Sequence, residues 1–164
     1  MLANNTIGRN GRLGNQMFQY ASLRGIAANR GFDFCVPPSS GKKEYIEHQL
    51  FEAFKLKNFN RQNIKFLDHG HVPIIEERKN DLGKRYFDED LYNNCPEDVS
   101  LWGYFGSEKY FIAIEKSIRE DFSFCDNILK ASSSIIGELY NPIALHVRRT
   151  DYLHLRKEWL LYEE

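Results

Sequence analysis

The chain of 164 residues carries 22 Lys plus Arg against 23 Asp plus Glu, for a formal net charge of −1, and 42% of its residues are hydrophobic and 14% aromatic. A near-neutral chain lacks the basic excess that binding a phosphate backbone requires, which argues against nucleic acid as a partner. Twelve Phe, nine Tyr and two Trp supply too much bulky apolar surface for intrinsic disorder, and the length suits a single domain burying roughly 70% of its unfolded surface, with no room for a second complete one.

The opening Met1-Leu2-Ala3-Asn4-Asn5-Thr6-Ile7 has no basic stretch followed by a sustained apolar run, so no secretory signal or membrane anchor is expected. Cys35, Cys95 and Cys125 are odd in number and widely spaced, which suits a reducing cytoplasm better than a disulfide framework. Residues 8–14 form a loop rich in Gly and Arg, followed by a helix expected from Asn15, its N-cap, to about Arg30. Phe18, Ala21, Gly25 and Ala28 recur at helical spacing, and the small size of the last three would let this helix lie close on a sheet. Gly31 should end it. Phe32 to Val36 alternates as a short strand, stopped by Pro37-Pro38 because proline cannot donate to a ladder.

Residues 39–100 are polar and interrupted, with helix expected only over Gln49 to Leu56 and extended chain over His71 to Glu76. Leu101 to Phe105 reads as a buried strand, after which Ser107 should cap a helix whose Phe111, Ile114, Ile118 and Phe122 share one face. Ile128, Ile135 and Leu139 mark another helix before the Asn141-Pro142 turn. Ile143 to Val147 is apolar enough for a strand covered on both faces, as in a parallel sheet.

Chemistry is concentrated where that last strand should run out, in His146-Val147-Arg148-Arg149-Thr150-Asp151-Tyr152. Ligands of open α/β sheets bind outside the carboxyl ends of strands. Alternation places His146 and Arg148 on one face, and a guanidinium fork suits a phosphate bidentately. The same residues also suit a solvated strand end with Asp151 paired to an arginine. Gly8, Gly11 and Gly14 lack the spacing of the dinucleotide fingerprint. They either let an anion approach the backbone or only supply positive φ for a turn. Asp88-Glu89-Asp90 has the form of a metal-binding pair but also of a solvated acidic turn, and the five His and three Cys give no zinc spacing.

Three segments taken together identify a family. Gly11-Arg12-Leu13-Gly14-Asn15-Gln16-Met17-Phe18-Gln19-Tyr20-Ala21 resembles the N-terminal signature of glycosyltransferase family 11, the α-1,2-fucosyltransferases. Leu101 to Phe111 is similar to that family's central Gly-Tyr-Phe-Gln-Ser-Glu-Lys-Tyr-Phe stretch, with Gly106 where Gln is usual. His146 to Tyr152 resembles the His-x-Arg-Arg-Gly-Asp-Tyr motif shared with α-1,6-fucosyltransferases, which are similar to this chain in carrying Thr at the position of Thr150.

The resemblance implies an α/β fold, the N-terminal Rossmann-like domain of a two-domain GT-B-type glycosyltransferase plus the first strand of the second domain. It implies inverting transfer of fucose from GDP-fucose to a galactose-containing glycan, with no metal or other cofactor. Arg148 would hold the β-phosphate and serve catalysis with Asp151; His146 and Arg149 would shape the donor site, and Asn15 would approach the donor from the other domain. The catalytic base stays unassigned, because Arg156 stands where the α-1,6 relatives suggest an acid. A glycolipid acceptor would put the protein peripherally at a membrane.

The main departure from the family is length. Residues 1–140 would be the acceptor-side domain and residues 141–164 the incomplete start of the GDP-fucose-binding domain, as in a fragment, a truncated gene product or a split protein completed by a separate C-terminal half. Such a chain is expected to be inactive alone. The alternative is a non-catalytic remnant that binds at most an anion or a carbohydrate.

Overall fold

The structure is a computed structural model that describes residues 1–39, 49–68, 70–145 and 147. The chain divides into two compact units, Met1–Ile128 and Leu129–Glu164. In the first, a four-stranded sheet is built on a central strand, β1 (Leu2–Ala3). It pairs in parallel with β2 (Phe34–Cys35) through Leu2 opposite Phe34, and with β4 (Val99–Trp102) through Leu2 opposite Val99. β3 (Ile74–Glu76) lies parallel on the far side of β4, with Ile75 opposite Leu101, so the order is β2-β1-β4-β3. The expectation of an α/β fold with a parallel sheet is met.

Alternation along these strands divides the core. Leu2, Val99 and Leu101 join the main cluster with the helices, while Ala3 and Cys35 on the opposite face pack with Leu67, Met1 and Val72. Helix α1 (Leu13–Arg30) contributes Tyr20, Ala21, Leu23, Ile26 and Ala27 to the main cluster, each large side chain adding about 1.5–3 kcal/mol through burial. The aromatic ring of Tyr20 lies 6.0, 6.1 and 5.7 Å from those of Phe34, Phe59 and Phe122. Gly31 ends α1 at φ 70°, with its N–H on Ala28 and the Phe32 N–H on Ala27, the paired bonds that satisfy the last carbonyls.

Two details of α1 differ from expectation. Asn15 is not the N-cap: Gly11 turns the chain at φ 87° and the Gln16 N–H reaches Arg12 O at 3.0 Å, so backbone alone closes the first turn three residues earlier, from Arg12. The Asn15 side chain instead folds back over Gly11, where it occupies the space a Cβ would need. The buried stripe is also displaced, since Phe18 and Ala28 are exposed. Gly25 does permit a close approach, but to the Tyr110 carbonyl rather than to the sheet.

The short helices follow the same core. α2 (Leu50–Ala53) buries Leu50 and Ala53, and α3 (Glu89–Asn94) starts at Asp88, whose carboxylate accepts the Leu91 N–H at 3.0 Å. The helix expected after Ser107 is broken into 3₁₀ turns at Glu108–Tyr110 and Ile112–Ile114 and then α4 (Glu115–Asp121). Phe111 leaves helical geometry at φ −133° and ψ 6°. Tyr110 is pinned just before it, its hydroxyl accepting the Asp88 N–H at 2.8 Å. Phe111, Ile114, Ile118 and Phe122 nevertheless reach the common core.

The C-terminal end of α4 is locked by Asp121. Its carboxylate receives the Tyr20 hydroxyl and the Asn58 N–H, each at 2.7 Å, and pairs with Arg24, which also donates to Ser117 Oγ at 2.6 Å. Burial, reinforced by the bond to Asp121, pushes the Tyr20 phenol far above its ordinary pKa.

α5 (Asp126–Ile136) follows and ends near Gly137, whose N–H bonds Ser133 O at 2.9 Å. Ile143–Leu145 and Val147, expected as a strand, carry no strand pairing among the described residues, and Ile143 is 96% exposed. An apolar run becomes a strand only where a neighbour completes its ladder, and the described residues offer none. Among the described residues, no helix is long and apolar enough to cross a membrane.

Candidate functional site

At the carboxyl edge of the sheet, the loop after β1 meets the turn after β4. The loop, residues 4–12, is tied at its start by Asn4 Oδ1, which accepts from Thr6 N at 3.1 Å and from Thr6 Oγ1 at 2.8 Å. The turn begins at Gly103 (φ 154°), and Phe105 is left-handed at φ 51° although fully buried. A left-handed non-glycine residue costs of order 1–3 kcal/mol and persists only where its surroundings over-determine it.

Several side chains do so here. Gln19 Nε2 donates to Gly103 O at 2.9 Å and to Asn10 O at 3.2 Å, joining loop and turn through α1. Ser22 Oγ donates to Phe105 O at 2.9 Å, and the Tyr104 hydroxyl donates to Asn10 Oδ1 at 2.8 Å. From the end of β3, Glu77 Oε2 accepts the Tyr104 N–H at 2.8 Å and pairs with Arg85 Nε at 2.8 Å. The guanidinium lies 4.7 Å above the Tyr104 ring. Gly103 is required because the Glu77 side chain fills the place of a Cβ.

Two buried polar atoms have no partner among the described residues, Asn4 Nδ2 and Gln19 Oε1, and both belong to side chains that hold this loop. The first turn of α1 contains no acid, and Arg9 and Arg12 beside it are exposed. Helix dipole and arginines together make that end of the edge favourable to an anion.

Two cavities open on this edge. One of about 450 Å³ lies beside Trp102, with Asn5, Arg9, Asp68 and His71 on its walls. The other, of about 250 Å³, is lined by Glu77, Arg85, Tyr86, Tyr104, Gly106 and Ser107. Asp88 has a structural part instead: besides capping α3, it pairs with Arg78 at 3.1 Å. Among the described residues no group of three or more His, Cys, Asp or Glu could hold a metal ion.

Of the residues singled out from sequence, Asn15 lies exposed in the first turn of α1, at the mouth of the glycine loop. His146, Arg148, Arg149 and Asp151 lie outside the described residues. Gln19 and Tyr104 sit inside the two quoted segments, so their position was signalled although their bonds were not. Glu77 and Arg85 had no such signal. They come from the polar stretch 39–100, and only the fold brings them to Tyr104.

The model of the family described as glycosyl transferase family 11 matches residues 2–163. The chain is 26% identical over 162 residues to an alpha-1,2-colitosyltransferase of Escherichia coli, an alignment covering 87% of this chain and 53% of that protein. It is 29% identical over 164 residues to galactoside alpha-(1,2)-fucosyltransferase 1 of Alouatta caraya, covering 92% of this chain and 40% of the relative. With galactoside alpha-(1,2)-fucosyltransferase 2 of Pongo pygmaeus the identity is 26% over 163 residues, covering 94% and 43%. The chain thus spans about half or less of the length of these curated relatives. No solved structure matches.

Proposed function

The chain belongs to glycosyl transferase family 11, and we propose that it forms the acceptor-side part of a two-domain GT-B-type galactoside α-1,2-fucosyltransferase. The donor in this reading is GDP-fucose and the acceptor a galactose-containing glycan. The observation that supports it is the meeting of residues 4–12 with the turn 103–107 at the carboxyl edge of a parallel sheet, where open α/β sheets bind ligands. Relatives that carry fucosyl and colitosyl in their names share the 1,2 linkage while differing in the donor sugar.

Transfer breaks the bond between fucosyl C1 and the GDP phosphate while the acceptor hydroxyl attacks from the opposite face. Positive charge spreads over C1 and the ring oxygen, and negative charge builds on the departing phosphate. Arg148 is the group assigned to that phosphate, with Arg149 and His146 around the donor and Asp151 beside them. A fixed guanidinium stabilises the charge without reorganising, and so needs no metal ion. Asn15 and the positive end of α1 face the donor from this domain.

The test is a sugar-transfer assay with GDP-fucose and a galactoside, read by product mass. The 164-residue chain is expected to give negligible product. The same chain joined to the remaining C-terminal part of a family relative is expected to transfer fucose. Failure of the joined, folded protein to transfer any sugar, with anion or carbohydrate binding retained, would favour a non-catalytic remnant.

A further inference from the structure

Among the groups at the carboxyl edge, Arg85 is held in an unusual way. Its Nε pairs with Glu77, a carboxylate only 3% exposed, and its guanidinium plane lies over Tyr104, so two sides of the group are fixed. Its terminal Nη1 and Nη2 make no hydrogen bond among the described residues, and the side chain is 42% exposed. A preorganised fork of donors therefore opens on the cavity of about 250 Å³.

The other cavity offers less. Asn5 is committed at both ends of its amide to Leu67, Ser100 Oγ accepts the Asn5 N–H, and the Thr6 hydroxyl is spent on Asn4. Around Arg85 the remaining walls are mixed in a particular way. Tyr86 presents a ring that is 44% exposed, Ser107 a hydroxyl, and Gly106 leaves open space where a side chain would stand. Glu77 already balances the charge of Arg85, so a phosphate placed there would leave a net negative cluster, whereas a neutral polyol would not. The volume lies below the roughly 300–1,000 Å³ of sites for drug-sized ligands and suits one sugar ring.

We propose that this cavity is a subsite for one neutral pyranose of the acceptor glycan, with the Arg85 Nη groups donating to two of its hydroxyl oxygens and the Tyr86 ring covering an apolar face. The proposal rests on the acceptor-side reading of this domain and adds to it the residues that select the sugar. Glu77 and Tyr104 act through Arg85 as positioning residues.

The experiment titrates the folded 164-residue chain with lactose and with methyl β-galactoside, observed by ligand NMR, with GDP as an anionic competitor. Arg85→Lys keeps the charge opposite Glu77 and loses the fork; Tyr86→Ala removes the exposed ring. Each variant is expected to weaken lactose binding by about tenfold, the scale of one lost bidentate or aromatic contact, with thermal unfolding unchanged. GDP is expected not to displace lactose. Undiminished lactose affinity in both variants, displacement by GDP, or no galactoside binding to the folded wild-type chain would each overturn the subsite. Undiminished affinity combined with successful transfer by the joined protein would leave the functional reading standing and move the sugar elsewhere. Variant-sensitive binding combined with failed transfer would do the reverse.

Discussion

Gln19 in α1 and Gly103 at the end of β4 are joined by a hydrogen bond of 2.9 Å across 84 residues of sequence. The same Nε2 also holds Asn10 O, so one amide group sets the distance between the loop before α1 and the turn after β4. Gln19→Leu fills similar space but leaves both carbonyls unpaired, and should destabilise the chain by about 1–3 kcal/mol. The loss should be concentrated at the Tyr104 and Phe105 amides in hydrogen exchange, where the left-handed backbone loses a restraint. Uniform protection across the turn in the variant would contradict this.

Two glycines of α1 should respond oppositely to alanine. At Gly25 a methyl group would collide with the Tyr110 carbonyl, backbone that cannot swing aside. Gly25→Ala should cost about 1–3 kcal/mol through the forced shift. At Gly14 nothing lies within 4 Å, so Gly14→Ala should stabilise by about 0.4–1 kcal/mol by restricting the unfolded chain. Urea midpoints of the two variants test the pair together.

α1 was legible because its length carries a period and because Gly31 ends it with a recognised stop. Its exact buried face was not. Phe18 is apolar yet exposed beside Phe111, and Gln19 is polar yet fully buried because Asn10 and Gly103 receive its amide. β1 was missed because two residues hold no periodicity; it is a strand only through partners at Phe34 and Val99. The turn 103–105 was read as the end of a strand, since nothing in Gly103-Tyr104-Phe105 announces that Glu77 will pull it out of the ladder. Of the site, the motif segments were legible, and the tertiary pair Glu77–Arg85 was not.

Asp121 should be the most costly single carboxylate to remove. Asp121→Ala strips the partner from Arg24, which is itself largely buried, and orphans the Tyr20 hydroxyl and the Asn58 N–H. Breaking a buried ion pair from one side typically costs about 3–5 kcal/mol. An unfolding free energy within 1 kcal/mol of wild type would show that the cluster relaxes.

Alkaline conditions should unfold the chain earlier than its neutral charge balance suggests. Burial pushes the Cys95 thiol up to about 11, Arg30 opposing it, and burial also raises Cys35 and Tyr110. In the unfolded chain these thiols ionise near 9, so above that pH the unfolded state binds fewer protons than the native one. Stability is therefore fully present below pH 9 and falls towards pH 11, by up to about 1.4 kcal/mol per pH unit for each such group. Urea midpoints at pH 8, 9.5 and 11 should decline in that order, and Cys95→Ala should flatten part of the slope.

In the joined, complete enzyme, Arg148→Lys should lower the transfer rate by about 10²–10³, the usual loss when an oxyanion donor is removed. A lysine supplies a point charge where the proposed phosphate contact needs a fork. Arg149→Lys serves as the comparison. Near-normal transfer by the Arg148 variant with loss confined to Arg149 would reassign the phosphate to the second arginine.

The register of β1 governs how this chain comes into being. Leu2 pairs with Val99 and Ala3 with Ser100, so the centre of the sheet joins residues to partners synthesised almost a hundred positions later. At about 5–20 residues per second, the nascent β1 waits on the order of 5–20 s for that neighbour, able meanwhile to recruit only β2. During this interval its far edge is open, with unpaired backbone groups beside apolar side chains, the condition under which strands of different chains find one another. Final assembly closes by long-range contact, and such topologies fold slowly for their size. The open edge of β1 is therefore where association between chains would begin until residue 102 emerges, a vulnerability invisible in the finished molecule.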